Sequence, residues 1–242
     1  MLSDGGTNIL LDAGISMRRI EKALSSLGLS VQDIDGVLIT HEHSDHISGL
    51  KMLLKHYNLP VYAPRTVGNR LRGMLPEIEN RLITIPVGEY FTLRNLRIFA
   101  FHTSHDTDES VGYRIEGNGI FSLATDTGCI NDEIRSALSG SDVALIESNH
   151  DERLLCDGPY PFYLKRRILS DRGHLSNTCC SLLARYLAEN GTKKIILGHL
   201  SCTNNLPELA MKENEASLTG MDCALFCAPK LGNLEIDIGV GI

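Results

Sequence analysis

Residues 41–46 read His41-Glu42-His43-Ser44-Asp45-His46, and four metal-capable side chains fall within these six positions. The apolar run Val37-Leu38-Ile39 precedes them, and Ile47, Leu50, Leu53 and Leu54 follow at helical spacing. A strand that ends in a His-x-His-x-Asp-His turn and then enters a helix brings imidazoles and a carboxylate to one point. That donor set suits zinc and similar divalent ions. The bland alternative is a polar turn that happens to be rich in histidine. Further ligand candidates stand where other predicted strands end, namely Asp12, His105, Asp126, His150, His174 and His199, and they favour the metal reading.

Outward from this turn the pattern alternates. Thr7–Gly14 reads as a strand with its turn, residues 16–27 as an amphipathic helix stopped by Gly28, and Val37–Thr40 as a strand leading into a helix over 44–56. A short strand covers Val61–Ala63, with an irregular or helical stretch over 64–80. From 81 to 125 the spacing is that of β-structure, with a hairpin across Gly117-Asn118. A strand at 142–146 then leads to an irregular basic region over 150–174. A helix over 176–189 capped at Ser176-Asn177, a strand over Lys193–Leu197, a helix over 206–217, and strand-like runs at 223–227 and 234–238 complete the chain. Strand–helix units flanking a β-rich middle predict an α/β fold with helices outside two sheets, an αββα sandwich, as one domain over residues 1–242.

Composition narrows the class. With 43% hydrophobic and 22% charged residues the chain can pack a soluble core. No apolar run approaches the ~18 residues that span a bilayer, and no basic segment followed by a long apolar one opens the chain. The expectation is a cytoplasmic protein without membrane association. Seven cysteines, an odd number without framework spacing, read as buried free thiols. A formal net charge of −7 argues against a broad nucleic-acid surface. It leaves room for the local basic strip Lys165-Arg166-Arg167, with Arg172 behind it.

His41-x-His43-x-Asp45-His46, with Asp12 upstream and His105, Asp126 and His199 downstream, resembles the metallo-β-lactamase superfamily over nearly the whole chain. The resemblance implies a four-layer αββα fold and two divalent metal ions, zinc or manganese. It implies that His41, His43 and His105 hold one ion, that Asp45, His46 and His199 hold the other, and that Asp126 bridges them. Asp12 would orient the histidine turn from behind. His43 and Asp126 stand where the di-iron flavoprotein branch would have Glu and the antibiotic-hydrolysing branch Cys. Later segments, Glu147-Ser148-Asn149-His150-Asp151, Tyr160-Pro161, Gly173-His174-Leu175-Ser176-Asn177 and Asn204-Asn205-Leu206-Pro207, look like the bacterial WalJ/YycJ group, with RNase Z more distant. That likeness implies a 5′→3′ exonuclease on single-stranded DNA. His174 would contact the scissile phosphate or protonate the leaving oxygen, Asp45 would accept the nucleophile's proton, and Lys165, Arg166 and Arg167 would meet the substrate.

Some readings stay open. His102 competes with His105 and reads as a strand-face or core residue. His150 reads equally as a supporting or substrate residue and as a structural one. A thioesterase or lactonase on the same fold, or a non-catalytic adaptor, are the rival functions. Members of the group open with a strand and a Ser/Gly/Asn-rich turn ahead of the segment that matches Thr7–Asp12. Only six residues precede Thr7 here, so the first strand of the sandwich is expected to be missing.

Overall fold

The computed structural model describes residues 1–238. The chain forms two units, Met1–Ala100 with Thr107–Val111, and Phe101–Asp106 with the chain from Gly112 onward.

The first unit holds a five-stranded sheet in the order β1 (Leu2–Asp4), β2 (Thr7–Leu11), β3 (Gly36–Leu38), β4 (Val61–Pro64), β5 (Leu82–Ile85). β1 is the strand expected to be missing. It pairs antiparallel to β2, with Leu2 opposite Ile9 and Asp4 opposite Thr7. Gly5 and Gly6 both have positive φ, 55° and 84°, as a two-residue hairpin turn matching the strand twist requires. A three-residue strand is too short for alternation to reveal, and its glycine turn is what makes it possible. The other pairings are parallel. Their buried runs, such as Gly36–Leu38, reflect burial on both faces. Helices α1 (Met17–Ser26), α2 (Ser44–Ile47), α3 (Leu50–His56) and α4 (Arg65–Met74) connect the strands. Ile20, Leu24, Leu50, Leu53, Val67 and Leu71 bury against Leu10, Val37, Ile39 and Val61. An antiparallel hairpin, β6 (Tyr90–Leu93) and β7 (Leu96–His102), follows.

The helix expected over 44–56 is broken between α2 and α3. The Gly49 N–H turns away and donates to Ala13 O at 2.8 Å, leaving the helical ladder to tie down the turn after β2. A Cβ on Gly49 would lie 2.0 Å from Ile15 O, and one on Gly14 would lie 1.6 Å from Asp45 O. This backbone contact is why the break occurs where it does.

In the second unit the strands run β12 (Ala224–Cys227), β11 (Lys194–Gly198), β10 (Val143–Glu147), β9 (Ile120–Ala124), β8 (Val111–Glu116). β8 and β9 form the expected hairpin, whereas β9 to β12 are mutually parallel. Helices α5 (Asp132–Leu138), α8 (Asn177–Glu189) and α9 (Pro207–Ser217) pack on this sheet and on each other. Ser176 caps α8 as expected, its side chain accepting the Cys179 N–H. The basic region over 150–174 is not irregular. It folds into α6 (Glu152–Asp157), capped by Asp151, and α7 (Phe162–Ile168). α7 fully buries no side chain, and its apolar spacing is a single i, i+4 pair, Leu164 and Ile168, both half-buried. The run 234–238 joins no ladder and is not a strand. All seven cysteines are free, as expected, but Cys180 alone is buried. Among the described residues no helix is long and apolar enough to cross a membrane.

Candidate metal centre

In the first unit the site grows from the ends of two parallel strands. Leu11 of β2 sits beside Leu38 of β3, so Asp12 and the segment Ile39–His41 leave the sheet at the same edge. Asp12 has φ 57°, a left-handed conformation that a non-glycine residue adopts at a cost of roughly 1–2 kcal/mol. The bend turns its carboxylate onto the histidine turn. Asp12 Oδ1 accepts the Thr40 N–H at 2.8 Å and Oδ2 accepts the Thr40 hydroxyl at 2.9 Å. His46 Nδ1 donates to Oδ2 at 2.7 Å. The Thr40 hydroxyl proton is thereby committed to Asp12, so at 3.0 Å Thr40 Oγ1 accepts from His41 Nδ1. In both histidines Nδ1 is engaged, leaving the Nε2 lone pair to serve as ligand, the arrangement metal-binding histidines generally show. The rings gather closely. His41 lies 4.6 Å from His43 and 4.1 Å from His46, centroid to centroid, and His46 Nε2 is 3.8 Å from Asp45 Oδ2. Glu42 faces away from this chemistry, accepting from Thr107 Oγ1 at 2.6 Å.

In the second unit, register does the assembling. Across the parallel strands Ala124 sits beside Ile146, and Glu147 beside Gly198. The residues that follow β9 and β11 therefore emerge level with the end of β10. Asp126 and His199 both have φ 56°, again bending a functional side chain at a strand end. Between them lies Glu147, fully buried. Its Oε1 accepts from His174 Nδ1 at 2.7 Å and His199 Nδ1 at 2.8 Å. Its Oε2 accepts the Thr127 and Leu175 N–H groups at 3.1 and 3.3 Å. Donor atoms of Asp126, Glu147, His174 and His199 all lie within 4.8 Å of one another. His199 Nε2 and His105 Nε2 stand 3.4 and 3.7 Å from Asp126 Oδ1. His105 Nδ1 donates to Gly173 O at 3.1 Å, so it too offers Nε2. The chemistry of these donors, the His105 and His199 imidazoles steadied through Nδ1 around a buried carboxylate, fits a divalent ion.

The electrostatics follow the contacts. Burial alone would push Glu147 up, but hydrogen bonds from two imidazoles hold its carboxyl below the usual range. Burial pulls His174 down, and the hydrogen bond and charge of Glu147 outweigh it, so His174 holds its proton above the ordinary imidazole range. His105 is lowered, by burial first, although Asp126 opposes this.

The remaining predicted residues divide. His102, at the end of β7, is exposed beside Glu133 rather than in a core. His150 is buried, and neither ring nitrogen has a hydrogen-bond partner among the described residues. It is not one of the clustered donors. Lys165 Nζ donates to Cys156 O at 2.6 Å, Arg167 pairs with Asp106, and Arg166 lies over the Phe162 ring at 5.9 Å. Arg172 Nε donates to His105 O at 2.8 Å. Sequence reasoning gave Glu147 no role. The signal was its position at the end of an apolar strand; Asp12 and Asp126 stand just past the ends of theirs. It also gave no role to the amides of Asn149, Asn177 and Asn205. Asn149 Nδ2 donates to His199 O at 2.9 Å, and Asn205 Nδ2 donates to Ser148 O and Asn149 O at 2.9 and 3.1 Å. Asn177 and Asn205 pair through their side chains.

Comparison with known proteins agrees with this chemistry. A family model described as a beta-lactamase superfamily domain matches residues 7–200. The chain belongs to the metallo-β-lactamase superfamily. As a superfamily member it is similar to the exodeoxyribonuclease YycJ of Bacillus anthracis, 38% identical over 204 residues, covering 84% of this chain and 77% of the relative. It is equally similar to the exodeoxyribonuclease WalJ of Streptococcus pneumoniae strain D39, 38% identical over 208 residues with the same shares. The solved structure of zinc-bound PqqB from Methylobacterium extorquens superposes with a TM-score of 0.73 at 18% identity, over 97% of this chain and 86% of that one. It shows the same metallo-β-lactamase fold. The chain is a metal-dependent hydrolase of that fold.

Proposed function

We propose that this hydrolase is a two-metal phosphodiesterase, a 5′→3′ exonuclease acting on single-stranded DNA, formed as a single domain. The observation that carries the reading is the pair of imidazoles, His174 and His199, fixed through Nδ1 on one buried carboxylate, Glu147, beside Asp126. By the resemblance, His41, His43 and His105 would hold one ion, and Asp45, His46 and His199 the other, with Asp126 between them and zinc or manganese as the metals. Such ions, when bound, lower the pKa of water and offset negative charge on a phosphate.

The protein's own groups supply the rest. Asp12 and Thr40 hold the ligand rings of His46 and His41 in one tautomer. His174, whose Nδ1 is held by Glu147 and whose pKa that contact raises against the effect of burial, gives its Nε2 proton to the oxygen that leaves the scissile phosphate. Asp45 accepts the proton that the attacking water loses. The strip Lys165, Arg166 and Arg167 meets the phosphates of the strand. Within it Lys165 is hydrogen-bonded to Cys156 O and Arg167 is paired with Asp106, which leaves Arg166 the cation most available to a phosphate. The relatives' names, both exodeoxyribonucleases, support DNA as the substrate.

The test is degradation of 5′-labelled single-stranded DNA in Mn²⁺ or Zn²⁺, with His174→Ala alongside. Labelled mono- or short oligonucleotides should appear, with the rate cut roughly 10²–10⁴-fold in the variant, as expected for loss of a general acid. Absence of cleavage by protein shown to hold about two ions would overturn the DNA-exonuclease reading.

A further inference from the structure

α7 is anomalous among the helices of the second unit. It fully buries no side chain, and its two aromatic residues, Phe162 and Tyr163, stand 75% and 74% exposed. Adjacent rings left in water mark a surface that something else covers. Their neighbours suggest what. One turn on from Phe162, at i+4, comes Arg166, whose guanidinium lies 5.9 Å from the Phe162 ring centroid. Lys165 and Arg167 are drawn into contacts with Cys156 O and Asp106. Arg166 is left as the cation that faces outward with the rings. In a chain of net charge −7, a local pairing of exposed rings with an outward cation is complementary to a polyanion that carries flat bases.

The far end of the same helix leads directly into the chemistry. The His174 N–H donates to Ile168 O at 3.0 Å and the Gly173 N–H to Ser170 O at 2.8 Å. A Cβ on Gly173 would lie 2.1 Å from Ile168 O, so only glycine lets the His174 loop close onto the end of α7. Gly173 O in turn receives His105 Nδ1. α7 and the loop that carries His174 are therefore joined backbone to backbone.

We propose that α7 is a stacking platform for single-stranded nucleic acid: Phe162 and Tyr163 each take a base face and Arg166 takes the neighbouring phosphate. Stacking is tolerant of sequence, because every base offers a π-face, and suits a nuclease that must advance along any strand. The proposal rests on the nuclease reading above and names the residues that would hold its substrate.

The chain has no tryptophan, so Phe162→Trp installs a single fluorescent reporter on the platform. The metal-loaded protein is titrated with a phosphorothioate oligothymidylate that resists cleavage. Saturable quenching of the introduced indole's emission is expected. Phe162→Ala and Tyr163→Ala are each expected to weaken binding about 5- to 150-fold, and Arg166→Ala to reduce the slope of log K against log salt by about 0.7. Leu182→Ala, at a 65% exposed position on α8, should bind as the unsubstituted protein does. Unquenched emission, or alanine variants that bind as tightly as the parent, would overturn the platform. So would sedimentation in which the unsubstituted protein self-associates and Phe162→Ala does not, because a second copy would then be the occupant. Hydrolysis of bis(p-nitrophenyl) phosphate by the unsubstituted protein separates the two failures. If that ester and DNA are cleaved while the variants bind normally, the platform alone fails. If neither is cleaved, the nuclease reading fails and the platform with it.

Discussion

Asp12 shows how much a single side chain outside the ligand set can decide. It receives three hydrogen bonds, two from Thr40 and one from His46, and it does so from a backbone conformation that only the surrounding contacts sustain. Asp12→Ala leaves the His46 ring free to rotate and the Thr40 hydroxyl free to donate to His41. Metal affinity measured by chelator competition is expected to fall 10–100-fold, and an unchanged affinity would remove Asp12 from the site. His150 presents the opposite case, a buried imidazole whose ring nitrogens find no hydrogen-bond partner among the described residues. Burial lowers its pKa, so the unfolded chain takes up a proton near pH ~6.5 that the folded chain resists. The stability His150 permits is complete above that pH and is lost as pH falls below it. In chelator-treated protein, His150→Leu should flatten the drop in urea midpoint between about pH 8 and pH 5. An equal drop in both proteins would show that His150 is not a source of acid sensitivity.

Between residue and fold stand the turns that bring strand ends onto helices. The turn after β2 touches the short helix α2 backbone to backbone. Ala13 N–H donates to His46 O and Ser48 Oγ to Gly14 O, and Gly14 leaves no room for a Cβ beside Asp45 O. Gly14→Ala should destabilise the protein by about 1–3 kcal/mol and weaken metal binding by displacing the Asp45–His46 backbone. Gly73→Ala is the informative contrast. It lies in α4 with nothing within 4 Å of the added methyl, and should stabilise by about 0.5–1 kcal/mol. Denaturant unfolding of the two variants reads both signs, and a neutral Gly14→Ala would contradict the close approach. The left-handed residues Asp12, Asp126 and His199 make the same point at three strand ends. Each bends sharply just where a parallel strand stops, which aims a side chain along the sheet edge at a local cost in backbone energy.

For the molecule as a whole, the donor clusters tie stability to metal. An ion that binds only the folded chain stabilises it by mass action. Free Zn²⁺ or Mn²⁺ at about 100 times its dissociation constant should add about 2.7 kcal/mol per site. Chelation should therefore lower the unfolding temperature and abolish phosphodiester hydrolysis, and metal return should restore both. Thermal unfolding that is indifferent to chelator would count against a metal centre of any kind.

The class of fold, the histidine turn and most of the candidate donors are legible along the chain, because each rests on local information. Apolar period shows strands and helices, and His41 to His46 are covalently within one turn of each other. The first strand escaped that reading because three residues carry no period, and only pairing with β2 across Gly5-Gly6 defines it. α7 escaped for a related reason: a seven-residue helix with one half-buried pair, Leu164 and Ile168, shows too little of a period. Glu147 was in plain view but had no meaning until the parallel register of β9, β10 and β11 set it level with the residues after Ala124 and Gly198. Folding alone supplies that meaning, because one carboxylate serving His174 and His199 joins positions 27 and 52 residues away, and such a pairing is fixed by sheet register rather than by any spacing along the chain.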